Sequence, residues 1–187
     1  GVYFGTSAFT EASPDQWQWD YNNVIPGSLE HNKKYLLSVR SRDSATPYNQ
    51  SITSFTFTYD AVKPTATITF PANDYSTNTA ITITGVSVDT GTLSVAATVF
   101  VSIGKGTADT GGSNCYRRSD NTFAAACPNW LMSETNGSGW KASGITWANG
   151  GSARYYILAR ASDVANNVQD NFWVYDSSRS FVYDVEG

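Results

Sequence analysis

A chain of 187 residues suffices for one large domain or two small ones, and its 41% hydrophobic content can supply a packed core. Charged residues reach only 15% against 14% aromatics; with Thr, Ser, Gly and Asn filling the rest, that profile suits β-strands joined by polar turns and argues against a helical bundle. The net charge of −4 comes with no basic cluster, which speaks against nucleic acid and anionic membranes as partners, and no apolar run approaches the ~18 residues a membrane span needs.

The opening "GVYFGTSAFT" has neither the basic start nor the apolar run of a secretion signal. With no initiating Met either, the expectation is a processed or partial piece of something longer. Residues 1–61 are predicted to hold about four short strands, including "YLLSVRSRD" at 35–43 and "FTYD" at 57–60. At "YDAVKP", 59–64, Pro64 lacks an amide donor and stiffens the chain. A domain boundary is placed there, dividing residues 1–61 from 62–187.

Beyond it, "TATITF" at 65–70 alternates Thr with apolar residues between Pro64 and Pro71, the pattern of a half-buried strand. "AITITGVSV" at 80–88 alternates again, and "LSVAATVFVSI" at 93–103 predicts a longer β-branched strand. After a Gly-rich break come a hairpin-like region from Cys115 to Pro128, a strand from Trp140 to Thr146, "RYYILARASD" at 154–163 and "FVYD" at 181–184. About seven strands in 62–187, with no sustained 3.6-residue period, predict an antiparallel β-sandwich.

The chain also repeats itself. Tyr3, Phe9 and Pro14 are answered in order by Tyr116, Phe123 and Pro128, and Trp19 and Ile25 by Trp140 and Ile145. Tyr35, Arg40 and Asp43 match Tyr155, Arg160 and Asp163 without a gap, and "FTYD" matches "FVYD". The leader at about 62–114 has no counterpart before Gly1, so the chain reads as the back half of one unit followed by a whole one.

"DAVKPTATITFPAND…ITITGVSVD" and "YYILARASDVANNV" resemble the opening and closing segments of bacterial immunoglobulin-like (fibronectin type III-like) repeats of extracellular and surface proteins; "YLLSVRSRDSA" matches less completely, with "TPYNQ" replacing the Asn-rich turn. The resemblance implies an all-β chain of tandem antiparallel immunoglobulin-like sandwiches, the first incomplete. It also implies a spacer, an adhesive array or an accessory module of a secreted enzyme.

Both cysteines belong to one copy of the repeat: Cys115 aligns with Val2 and Cys127 with Ser13. Paired presence predicts a disulfide closing a loop of 127 − 115 = 12 residues, worth roughly 3 kcal/mol in a chain-entropy picture and pointing outside the cytosol. Two unrelated free thiols are the alternative. Zinc lacks further ligands at suitable spacing.

Little else suggests chemistry. His31, the single histidine, sits in a polar turn without a nucleophile motif. Asp43 and Asp163 recur with the fold and read as turn caps. Calcium is the alternative: Asp60 at the boundary and Asp163, Asn166 and Asn167 in "SDVANN" offer oxygen ligands. Trp17, Trp130 and Trp147 lie near predicted turns, where exposed indoles could stack on sugar rings, while Trp19 and Trp140 read as core. The sequons at 49–51 and 136–138 arise readily by chance in such a composition.

Residues 1–61 are too few to close a core of their own. Neighbouring immunoglobulin-like repeats or another subunit are therefore expected to complete them. The reading that follows is a non-catalytic segment at the cell surface or in the extracellular space: a structural spacer, a filament or coat component, or an adhesin stalk. The alternative is a carbohydrate- or ligand-binding accessory module.

Overall fold

Strands form where the sequence alternates and stop where Gly, Pro or Asn interrupts it. The computed structural model describes residues 10–13, 16–18, 29–42, 44–90, 98–106, 114–136, 139–147 and 152–185. The chain is all-β, with predominantly antiparallel pairing and no helix among the described residues. It divides into two units, Gly1–Tyr59 and Asp60–Gly187.

In the first unit, β1 (Thr10–Ser13) pairs antiparallel with β2 (Gln16–Gln18). β3 (Lys33–Arg42) and β4 (Gln50–Tyr59) make a long antiparallel hairpin. Its register places Tyr35 opposite Phe57, Leu37 opposite Phe55 and Val39 opposite Thr53. Because cross-strand partners share a face and the side-chain period is two, these apolar residues collect on one side. The Tyr35 and Phe57 rings stack at 5.7 Å. Tyr3, Phe9, Pro14, Trp19, Ile25 and Asp43 lie outside the described residues.

The second unit begins with β5 (Thr65–Phe70), β6 (Tyr75–Thr77), β7 (Ile83–Val88) and β8 (Thr98–Lys105). The short strands β9 (Cys115–Arg117), β10 (Thr122–Ala125), β11 (Leu131–Met132) and β12 (Glu134–Asn136) follow. β13 (Gly139–Ala142), β14 (Ala153–Ser162) and β15 (Ser178–Tyr183) complete it. One sheet has the order β10-β9-β8-β14-β15-β6, with β11 also on β8; the other runs β12-β13-β7-β5. Among the described strands, β6 departs from antiparallel pairing, lying parallel to β15. Its three residues show no apolar alternation, so sequence periodicity does not reveal it.

One core lies between the sheets. Ala66, Ile68, Ile83, Trp140 and Ala142 face it from the smaller sheet; Val99, Val101, Ile103, Tyr155, Ile157, Ala159, Ala161 and Phe181 face it from the larger. The strand expected over Trp140–Thr146 stops at Ala142. Gly144 then takes φ +69°, a left-handed turn that glycine adopts without strain, and beyond it Ile145 and Trp147 are buried in the core. Gly85 is required for a different reason. A Cβ there would meet Thr67 O at 2.1 Å and the Trp140 ring at 2.2 Å, so only glycine lets the indole lie across β7. Trp140 Nε1 donates to Val86 O (3.0 Å).

Aromatic rings fill the middle. Trp147 meets Phe181 edge-on at 5.0 Å and Tyr155 at 5.3 Å, while Tyr155 stacks on Phe181 at 5.5 Å and touches Phe123 at 5.1 Å. Each such contact adds about 0.5–1.5 kcal/mol beyond area burial, and the Trp147 indole N–H is satisfied by Ile81 O (3.0 Å).

Burial, reinforced by the Tyr183 hydroxyl, pushes the Tyr155 phenol from 10.0 up to about 12. The folded state therefore holds this proton where the unfolded chain has released it. The stability it contributes is full below pH 10 and is lost as pH rises through about 12. Chemical denaturation between those two values should show the unfolding free energy of the second unit falling, with a shallower fall in Tyr155→Phe.

Candidate functional site

Three strand boundaries of the second unit converge at one end. Asp60 precedes β5, and Asp89 and Asp163 directly follow β7 and β14. Each carboxylate offers an oxygen, and these oxygens lie within 4.8 Å of one another. Asp60 and Asp163 are buried, and both Asp89 carboxylate oxygens are shut off from solvent.

The loop after β14 sets this geometry. Asn167 N donates to Asp163 Oδ1 (2.8 Å), and Asn167 Nδ2 donates to Asp163 Oδ2 (2.8 Å) and to Asp60 O (3.2 Å). Val62 N donates to Asp60 Oδ1 (3.0 Å). Asn166, at φ +66°, supplies the left-handed residue that turns the chain back. Gln169 fixes the loop below: its Oε1 accepts from Ala66 N (2.8 Å) and Ala161 N (3.3 Å), joining β5 to β14.

Ionised carboxylates at this spacing repel by about 3 kcal/mol per pair at an effective dielectric of ~20. A divalent cation among them reverses the sign. Calcium takes oxygen ligands at about 2.3–2.6 Å, so two oxygens on one ion stand at most about 5 Å apart, and the trio meets that limit. Magnesium, at about 2.0–2.1 Å, requires a tighter arrangement. Among the proposed ligands, the structure brings Asp60 and Asp163 together and adds Asp89, which sequence reasoning missed. Asp89 was legible only as the acid closing "ITITGVSVD", a strand-end position like that of Asp163. Asn167 turns its amide nitrogen toward the carboxylates and so orients them, and the Asn166 side chain is exposed.

The tryptophans separate. Trp147, expected near a turn and available for stacking, is buried in the core: the left-handed Gly144 ends the strand ahead of it. Trp130 is half-buried. Arg160 lies over its ring at 4.2 Å and Phe172 stacks on it at 5.9 Å. Desolvation there holds the Arg160 guanidinium below its ordinary value. Trp17 is placed only by its strand, opposite Glu11, and its side chain lies outside the described residues. Sequence reasoning passed over Trp173, which is exposed within the apolar run Phe172–Tyr175. The signal was "DNFWVYD", four apolar residues in a row between acids.

Cys115 and Cys127 form the expected disulfide, Cα–Cα 5.2 Å, beside the β9–β10 hairpin. In that hairpin's turn an ion pair with Arg117, reinforced by Thr122, draws Asp120 down to about 2. His31 occupies the turn before β3. No helix among the described residues is long and apolar enough to cross a membrane. Compared with known proteins, the chain matches no family model, no curated sequence and no solved structure.

Millimolar calcium is expected to raise the unfolding temperature of the second unit by several degrees over EDTA, since a ligand at 100 times its dissociation constant adds about 2.7 kcal/mol. Asp89→Asn should abolish the rise, and magnesium should give a smaller one. Differential scanning calorimetry reads both.

Proposed function

We propose that the chain is a non-catalytic structural segment of an extracellular or surface protein, in which immunoglobulin-like sandwich units of one design follow in series and hold a partner at a distance. The observation that carries this reading is the parallel pair β6–β15, with Phe181 opposite Tyr75, Val182 opposite Ser76 and Tyr183 opposite Thr77. Tension on the two ends of the second unit meets β5, held by β7, before it reaches β6, and past β5 it draws β6 toward the start of the unit and β15 toward its end. Parallel strands loaded in this way slide against each other, so their hydrogen bonds bear the load together rather than opening one at a time.

The pair is fastened at both ends. Asp74 N donates to Ser180 O (2.8 Å) and Asp184 N to Thr77 O (2.9 Å). Ser180 N donates to Asn73 Oδ1 (3.0 Å), and Arg154 pairs with Asp74. A disulfide, which persists where the surroundings are oxidising, agrees with an extracellular place. Calcium at Asp60, Asp89 and Asp163 would tie the start of β5 to the ends of β7 and β14.

A second reading, a carbohydrate-binding accessory module, is favoured by the exposed run Phe172–Tyr175 beside Trp130 and Arg160. It ranks lower because Trp130 is already covered by its own neighbours.

Single-molecule pulling through the chain ends tests the load-bearing reading. The second unit should unfold in one high-force step. Thr77→Pro, which removes an amide from the side of β6 where Thr77 O accepts from Asp184 N, should drop that force by roughly half while the unit stays folded at rest. An unchanged force in Thr77→Pro would contradict the reading.

A further inference from the structure

The β3–β4 hairpin of the first unit and the β14–β15 hairpin of the second are built alike. Tyr35 stands opposite Phe57 as Tyr155 stands opposite Phe181. The first pair of rings stacks at 5.7 Å and 27°, the second at 5.5 Å and 25°. Leu37 and Val39 follow Tyr35 at the alternate positions that Ile157 and Ala159 take after Tyr155.

Their surroundings are opposite. In the second unit Tyr155, Ile157, Ala159 and Phe181 are 0% exposed, closed in by the sheet that carries β5, β7 and β13. β14 takes β8 along its other edge, and β15 takes β6. In the first unit Leu37 is 38%, Val39 42%, Phe55 54% and Phe57 38% exposed. Among the described strands, β3 and β4 pair only with each other.

The exposed face has a definite chemistry. Tyr35, Leu37, Val39, Phe55 and Phe57 make it apolar, Ser41, Ser51 and Thr53 extend it with small uncharged side chains, and Lys33 and Tyr59 share that side at the open end of the hairpin. Lys33 pairs with Glu30, so the apolar stretch itself offers no charge to a lipid surface or an acidic partner. A second copy of the hairpin could stack on it, but that would supply no counterpart of β8, the strand that β14 takes along its edge. A polypeptide that brings both a covering sheet and an edge strand answers the face and the edge at once. The second unit shows the pattern of such a polypeptide: residues 60–105, with Thr/apolar alternation in β5 and β7 and the β-branched β8.

We infer that the β3–β4 face is a docking surface for a partner polypeptide of the residue 60–105 pattern, which comes from outside residues 1–187, adds a strand along β3 and lays a sheet over Tyr35, Leu37, Val39, Phe55 and Phe57. The inference rests on the reading that both units share one design. It names what the first unit binds.

The test uses the full chain with a second copy of residues 60–105 tethered ahead of residue 1 by a flexible linker, beside a control with the same residues shuffled. Tethering supplies a high effective concentration. Amide exchange in β3 and β4 should slow about a hundredfold with the authentic copy, remain fast with the shuffled one, and return to fast when Phe55→Asp is introduced. Exchange in β14 and β15 should stay as it is. Equal exchange with authentic and shuffled copies would overturn the inference. So would concentration-dependent protection of the unmodified chain, because a second copy would then be the occupant. The force response of the second unit involves neither β3 nor β4, so failure here leaves the load-bearing reading to its own experiment.

Discussion

The second unit depends on closing an apolar ring cluster over one hairpin. Tyr155 is held among Phe123, Trp147 and Phe181, and every one of these rings comes from a different stretch of chain. The strand that carries Tyr155 is central to its sheet, with β8 on one edge and β15 on the other. Removing any partner would leave large rings facing water, and burial of a side chain of this size is worth about 1.5–3 kcal/mol. The disulfide, the left-handed Gly144 and the bare Gly85 all serve this closure. The first shortens the unfolded loop beside β9, the second ends β13 ahead of Trp147, and the third makes room for Trp140.

The same closure explains where the acidic trio comes from. Two sheets packed across one core bring strand ends from distant parts of the sequence to a common rim. Asp60, Asp89 and Asp163 each sit at such an end. Asn167 and Gln169 hold the rim together from the loop after β14, through bonds to Asp163, Asp60, Ala66 and Ala161. An array of buried carboxylates is costly on electrostatic grounds, and a bound divalent cation is the plainest way to offset it.

Alternation made most of the strands legible. "TATITF" is β5 to the residue, and the long β14 follows "RYYILARASD" closely. The disulfide was legible because both cysteines fell in one of two segments that read as copies of each other and neither fell in the other. Other features had no such signal. β6 is three residues long and earns its place by pairing with β15, a contact between positions far apart in sequence. Trp147 read as a turn residue because nothing local reveals that Gly144 redirects the chain inward. Asp89 looked like one strand-end acid among several, since its importance lies in what the fold brings beside it. Asp60 and Asp163 were picked out by position in the chain, yet their convergence is a tertiary fact.

One hairpin pattern is core in the second unit and surface in the first. Comparing Tyr155→Ala with Tyr35→Ala, by denaturation with amide-resolved detection in the full chain, tests this directly. Loss of the buried ring should cost the second unit about 3–5 kcal/mol, whereas loss of the half-buried Tyr35 ring should cost the first unit about 1 kcal/mol. Comparable costs at the two positions would contradict the account.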